Sequence, residues 1–137
     1  MTIFISYDYD NDRHYKNLMV AWSKNASFDL EFYDSSVDVS VNSNEAAPVR
    51  RVISQRIRES DILLCIVGEE THTSEWVEWE LDKADELGKK FVAVKTGRSN
   101  TTPPGLYGKG AEWAHSFTFD SIKKAIERAY YGFELSL

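Results

Sequence analysis

One carboxylate stands where ordinary folding would avoid it. In the segment Ser74–Gly88, Val77, Leu81, Ala84 and Leu87 recur at helical spacing and define an apolar stripe. Glu80 falls inside that stripe, beside Trp76 and Val77, whereas Glu78, Asp82 and Asp85 face outward or flank it. A carboxylate on the core-facing side of a helix costs several kcal/mol unless it is paired or lines a cavity. In a cavity, apolar neighbours raise its pKa, and a positive charge developing beside it rewards its ionised form. A buried hydrogen bond, or a salt bridge to a lysine, is the alternative, and the pattern alone leaves both open.

The other reactive residue types are less suited to chemistry. His14, His72 and His115 have no metal-ligand spacing, so no metal site is expected. No glycine-rich phosphate loop is present, which excludes a P-loop enzyme or a dinucleotide-fold oxidoreductase. Cys65 lies within the apolar run Asp61–Gly68, where a thiolate is disfavoured, and reads as core. Trp79 points away from the stripe beside Lys83. It either packs on a neighbouring loop or offers a surface for self-association.

These residues must be positioned by a chain of 137 residues, 42% hydrophobic, enough for one core and expected as a single domain over residues 1–137. The net charge of −6 argues against nucleic acid or an anionic membrane as the main partner, while leaving room for a local anion-binding cleft. The longest apolar runs, Ile62–Val67 and Ile3–Ile5, are too short for a membrane span or a secretory leader, and a cytoplasmic protein is expected.

Short apolar runs alternate with helical patterns. Thr2–Tyr7, Leu30–Tyr33, Ile62–Val67 and Phe91–Val94 read as strands, with a fifth expected at Ser116–Phe119. Helices are expected at Asp12–Lys24 (stripe Tyr15, Leu18, Met19, Trp22), Glu45–Glu59 (Val49, Val52, Ile53, Ile57), Ser74–Gly88 and Ser121–Tyr131. This order implies an α/β fold: a five-strand parallel sheet in flavodoxin-like order, with helices on both faces and Ile62–Val67 in the interior. Ligands in such sheets bind beyond the carboxyl ends of the strands. The segments there are Tyr7–Asp10, Asp34–Ser36, Gly68–Glu70 and the stretch after Val94. Two connections, Asp34–Asn44 and Thr96–Glu112, are long enough to suggest function.

Four segments resemble the TIR domain family. Ser74-Glu-Trp76-Val-Glu-Trp-Glu80-Leu81 is similar to the family's S-x-W-x-x-x-E-L signature, Ile3-Phe-Ile-Ser-Tyr7-Asp8 resembles its first-strand box, Phe32–Ser36 sits where its BB loop begins, and Leu87–Val94 resembles its step from helix to fourth strand. They occur in the family's order and spacing. Among TIR proteins, the segment Val37–Glu45 is most similar to the stand-alone bacterial TIR-like proteins of the Thoeris anti-phage system, although it lacks the glycine common in the BB loop.

The resemblance implies an NAD glycohydrolase or ADP-ribosyl cyclase. It implies Glu80 as the catalytic residue, with Tyr7, Asp8, Asp34, Ser36, Ser74 and Trp76 around the substrate in one cleft and Glu80 at its floor. NAD would be the substrate, with no cofactor, and a diffusible (cyclic) ADP-ribose product would reach a separate effector. Two rivals stay open: a non-catalytic TIR-like interaction module in which Glu80 is structural, and a nucleoside deoxyribosyltransferase-like enzyme using a glutamate nucleophile.

Overall fold

The computed structural model describes residues 1–135; the last two positions of the expected 1–137 unit lie outside the described residues. Five strands, β1 (Thr2–Ser6), β2 (Asp29–Glu31), β3 (Ile62–Val67), β4 (Lys90–Lys95) and β5 (Glu112–Trp113), form one parallel sheet in the order β2-β1-β3-β4-β5. The helices are α1 (Tyr9–Ser23), α2 (Ala47–Arg58), α3 (Glu75–Glu86) and α4 (Phe119–Tyr131). No helix among the described residues is long and apolar enough to cross a membrane.

Alternation along the strands sorts the core into two layers. Ile3, Ile5, Ile62, Leu64, Ile66, Val92 and Val94 meet Met19 of α1 and Ile122, Ala125 and Ile126 of α4. Phe4, Leu63, Cys65, Val67, Phe91 and Ala93 meet Ile53 and Ile57 of α2 and Val77, Leu81 and Ala84 of α3. Ser6 belongs to the second set by parity, so its hydroxyl is turned toward α3. Cys65 is fully buried, and burial pushes its thiol pKa upward, in keeping with a core role.

The expected fifth strand is displaced. Pairing with β4 is made by Glu112 and Trp113, opposite Val92 and Ala93, while residues 116–118 form the approach to α4 and Phe119 is its first residue. Thr118 caps that helix by accepting from the Ser121 amide, and Phe117 and Phe119 pack against Trp22. The aromatic and β-branched residues that mimic a strand there are a helix cap and an aromatic cluster. Two stripe residues, Leu18 and Val52, are exposed. On α1 the inward positions go instead to Asp12 and Lys16, two charged residues buried with Met19.

Asp12 interrupts α1 with φ −119° and ψ 15°, and its carboxyl lies against the backbone just past β3. Thr71 Oγ1 accepts from the Gly68 amide at 2.8 Å and stands 3.3 Å from both Asp12 Oδ2 and the Ile66 carbonyl. A Cβ on Gly68 would fall 2.2 Å from Asp12 Oδ2, so only glycine admits this approach. Gly68→Ala is expected to destabilise the fold by about 1–3 kcal/mol, the usual cost of overpacking. Urea unfolding should show most of that cost disappearing in an Asp12→Ala background, where Thr71 keeps the Ile66 carbonyl as acceptor.

Candidate functional site

The site is assembled where β1 ends against the middle of α3. Ser74 starts α3 by accepting the Val77 amide at 3.2 Å, which fixes the helix phase. In that phase Glu80 is carried inward with Val77, Leu81 and Ala84. Its carboxyl meets the last residue of β1: Ser6 Oγ donates to Glu80 Oε1 at 2.7 Å. Glu80 is 6% exposed, Ser6 is fully buried, and no cation forms a salt bridge with Glu80 among the described residues. Burial pushes the Glu80 pKa from 4.5 up to about 8, with the Ser6 hydrogen bond pulling weakly the other way. Of the two environments left open by the sequence, a cavity or a buried pairing, the structure shows the second, as a hydrogen bond from a neutral hydroxyl with no salt bridge among the described residues.

Beside this pair lies a cleft of about 80 Å³ lined by Tyr7, Asp8, Ser36, Ser74 and Trp76, together with Tyr9, Asp10, Tyr33, Ser35 and Val37. Two expectations need correction. Glu80 does not form the floor of the cleft, because Ser6 covers its carboxyl and α3 buries it. Asp34 does not line the cleft either; it turns aside to accept a hydrogen bond from Tyr7 Oη at 2.6 Å and an ion pair from Lys16 Nζ at 3.1 Å. The Tyr7 bond, more than the lysine, holds the Asp34 carboxyl below the ordinary carboxylate range, and burial with the same bond drives the Tyr7 phenol up.

The long connection after β2 is tied down along its length. Arg56 donates to the Phe32 carbonyl, Trp76 Nε1 to the Val39 carbonyl at 3.3 Å, and Arg50 to the carbonyls of Val41 and Ser43 at 2.6 and 2.7 Å. Ser6 and Lys16 are the two site residues that sequence reasoning missed. Each carried a signal: Ser6 is the polar residue of a buried apolar strand, and Lys16 lies three residues before Met19 on the inward face of α1.

Larger openings lie elsewhere on the carboxyl rim. One of about 450 Å³ is bounded by Lys95, Leu106, Tyr107 and Trp113, and one of about 430 Å³ by Lys95, Arg98, Trp113 and His115. Neither has a carboxylate in its wall; a third opening, of about 270 Å³, has Asp12, Glu69 and Glu70 in its wall, but lies away from Glu80. We assign the site by the chemistry. Among the described residues no cluster of three or more His, Cys, Asp or Glu could hold a metal ion. Trp79 packs edge-on against Trp76, with Lys83 Nζ 5.6 Å from its ring centre. It belongs to the α2–α3 surface and not to the cleft.

A family model described as Thoeris protein ThsB, TIR-like domain, matches residues 4–101. No curated protein matches the chain. Three solved structures share the fold at low identity. A 2-deoxyribosyltransferase from Bacillus psychrosaccharolyticus superposes with TM-score 0.54 at 16% identity, over 74% of this chain and 77% of that one. A conserved protein from Enterococcus faecalis V583 gives TM-score 0.56 at 14% identity, over 72% of this chain and 65% of that one. A prokaryotic SEFIR domain gives TM-score 0.53 at 14% identity and covers 93% of this chain and 94% of that one.

The raised pKa of Glu80 makes folding stability depend on pH with a definite sign. The folded state holds the proton more tightly than the unfolded chain, so this stabilisation is complete below about pH 4.5 and is lost as pH rises through about 8. The loss is on the order of a few kcal/mol at 1.36 kcal/mol per unit. Urea unfolding of wild type and Glu80→Gln at pH 5 and pH 8 should show the wild type losing that much relative to the variant. Parallel pH curves would remove the claim that Glu80 is buried as the neutral acid.

Proposed function

Since this chain belongs to the Thoeris protein ThsB TIR-like domain family, we propose that it cleaves NAD at the nicotinamide–ribose bond and makes a (cyclic) ADP-ribose signal in the cytoplasm. The signal would reach a separate effector in anti-phage defence. The observation that carries this reading is the buried Glu80 carboxyl, without a cation, at the end of β1.

Nicotinamide is a good leaving group because it takes the electron pair of the broken bond and departs neutral from a cationic ring. What remains is an oxocarbenium-like ribosyl centre, as in glycoside hydrolysis. A carboxylate held in apolar surroundings is matched to that charge. In the empty site Glu80 keeps its proton at neutral pH; binding that widens the cleft as far as the Ser6–Glu80 pair would set a cationic pyridinium beside the carboxyl and favour its ionised form. Water attacking the ribosyl carbon, with loss of a proton, yields ADP-ribose. One of the ligand's own hydroxyls attacking in the same way yields a cyclic product. A loop closed over the site excludes water and favours the second outcome. The segment that follows β2, carrying Ser35, Ser36 and Val37, is placed to do so.

A second reading, deoxyribosyl transfer between nucleoside bases, takes support from the shared fold with the 2-deoxyribosyltransferase and from the same buried glutamate. Offering a deoxynucleoside with an acceptor base, in place of NAD, separates the two. Release of nicotinamide also separates the enzyme reading from that of a purely interacting module.

For NAD cleavage, kcat/KM should rise with pH through an apparent pKa near 8, the value of Glu80 in the free site. Glu80→Gln should lower nicotinamide release by at least about 10²-fold, the order lost with a key electrostatic group. Its melting temperature should be unchanged or higher. Where the purified protein is silent without infection, the same comparison is made by mass spectrometry of small molecules from phage-infected cells. A folded Glu80→Gln protein turning over at the wild-type rate ends this proposal.

A further inference from the structure

Two donors converge on one oxygen next to the cleft. Asp34 Oδ1 accepts from Tyr7 Oη at 2.6 Å and from Lys16 Nζ at 3.1 Å. The two sides of this contact differ in how they are held. Lys16 projects from α1 with its side chain 3% exposed, and its ammonium lies 4.3 Å from the centre of the Phe32 ring. Asp34 sits on the connection after β2 with its side chain 46% exposed. A buried ammonium is costly without an anion, and Asp34 is the one carboxylate ion-paired with Lys16 among the described residues. The cation is therefore built into the fold, and the anion that satisfies it is supplied by a loop.

The cleft beside it, about 80 Å³, is far smaller than the roughly 300–1,000 Å³ typical of ligand sites. One wall is made by Ser35, Ser36 and Val37, the residues that follow Asp34. Widening the cleft for a dinucleotide moves that wall and draws Asp34 with it. The Lys16 ammonium and Tyr7 hydroxyl would then face an opening with no anion between them. A phosphate oxygen has the charge and acceptor geometry to take the vacated place.

We propose that Lys16 Nζ and Tyr7 Oη form a binding position for the pyrophosphate of a dinucleotide, occupied in the closed state by the Asp34 carboxylate, which the ligand displaces. This rests on the NAD reading for the identity of the dinucleotide. The two-donor site is defined independently of any turnover. Asp34 then has two functions: it keeps a buried cation satisfied in the empty protein, and it selects for ligands with enough negative charge to replace it. A phosphate-free nucleoside such as nicotinamide riboside would not open the latch.

The test is calorimetric titration of the full chain with inorganic pyrophosphate and, separately, with nicotinamide riboside. Asp34→Asn removes the competing charge, so it should bind pyrophosphate at least about tenfold more tightly than wild type, one decade being 1.4 kcal/mol. Adding Lys16→Met to that variant should abolish the gain, and the double variant leaves no unpaired buried charge to compromise folding. Lys16→Met alone should bind pyrophosphate at least about tenfold more weakly than wild type, which decides the matter should Asp34→Asn not fold. Riboside binding should not respond to either substitution. Equal pyrophosphate affinity in folded Asp34→Asn and wild type, or a gain that persists without Lys16, overturns the proposal. Those results would leave NAD cleavage standing, and the expected results would hold for a protein that releases no nicotinamide.

Discussion

The hydrogen bond between Ser6 and Glu80 joins the two halves of the site, and it constrains everything around it. It forms only if β1 ends where it does, because a shift of one residue in that strand would turn the hydroxyl to the α1 face. It also requires α3 to enter at Ser74, since the cap sets which residues look inward. A carboxyl group taken out of water is favoured as the acid by burial, and the one hydrogen bond donated by Ser6 only partly offsets that preference. The site is thus stable in the protonated state and poised to respond when positive charge arrives. In the proposed reaction, stability and reactivity would pull in opposite directions at this residue, which is common where a functional group is buried.

A second constraint is the abundance of charge beneath an otherwise apolar α/β sheet. Asp12 and Lys16, four residues apart on α1, are both buried, and each is satisfied by a different neighbour. Asp12 is placed against the backbone after β3 by Thr71 and Gly68, and burial holds its pKa above the ordinary carboxylate range. Lys16 is placed under the loop after β2 by Asp34. The first arrangement fixes backbone to helix at a point where only glycine fits. The second couples helix to loop through a contact that is half open to solvent. The difference in exposure separates a structural buried charge from one available for exchange.

The arginines of α2 complete the setting. Arg50 and Arg56 hold backbone carbonyls at the two ends of the connection after β2, while Trp76 holds its middle from α3. The loop is thereby given a defined closed form without regular secondary structure. Each tie is one side chain on one or two carbonyls, a kind of bond that can be exchanged for water. Trp76 also lines the cleft, so the same side chain shapes the cleft and anchors the loop beside it.

Much of this was written in the chain itself. Apolar runs such as Ile62–Val67 and helical stripes such as Val77, Leu81 and Ala84 fix the elements and their order, because burial acts on each residue locally with a period set by the backbone. Glu80 was conspicuous for the same reason: one polar residue in an apolar stripe is visible without knowing its partner. Other features became visible only in three dimensions. The edge strand at Glu112–Trp113 is two residues long, and its identity is set by pairing with β4, whereas residues 116–119 carry strand-like side chains but serve as a helix cap. Ser6 and Lys16 stood out in sequence only as polar residues at inward positions, because their roles depend on partners 74 and 18 positions away. The same holds for Asp34, which was expected at the ligand and instead holds Lys16. Periodicity reports which way a residue faces; only the folded chain decides what it meets there, since hydrogen bonds and ion pairs depend on distances that sequence spacing does not encode.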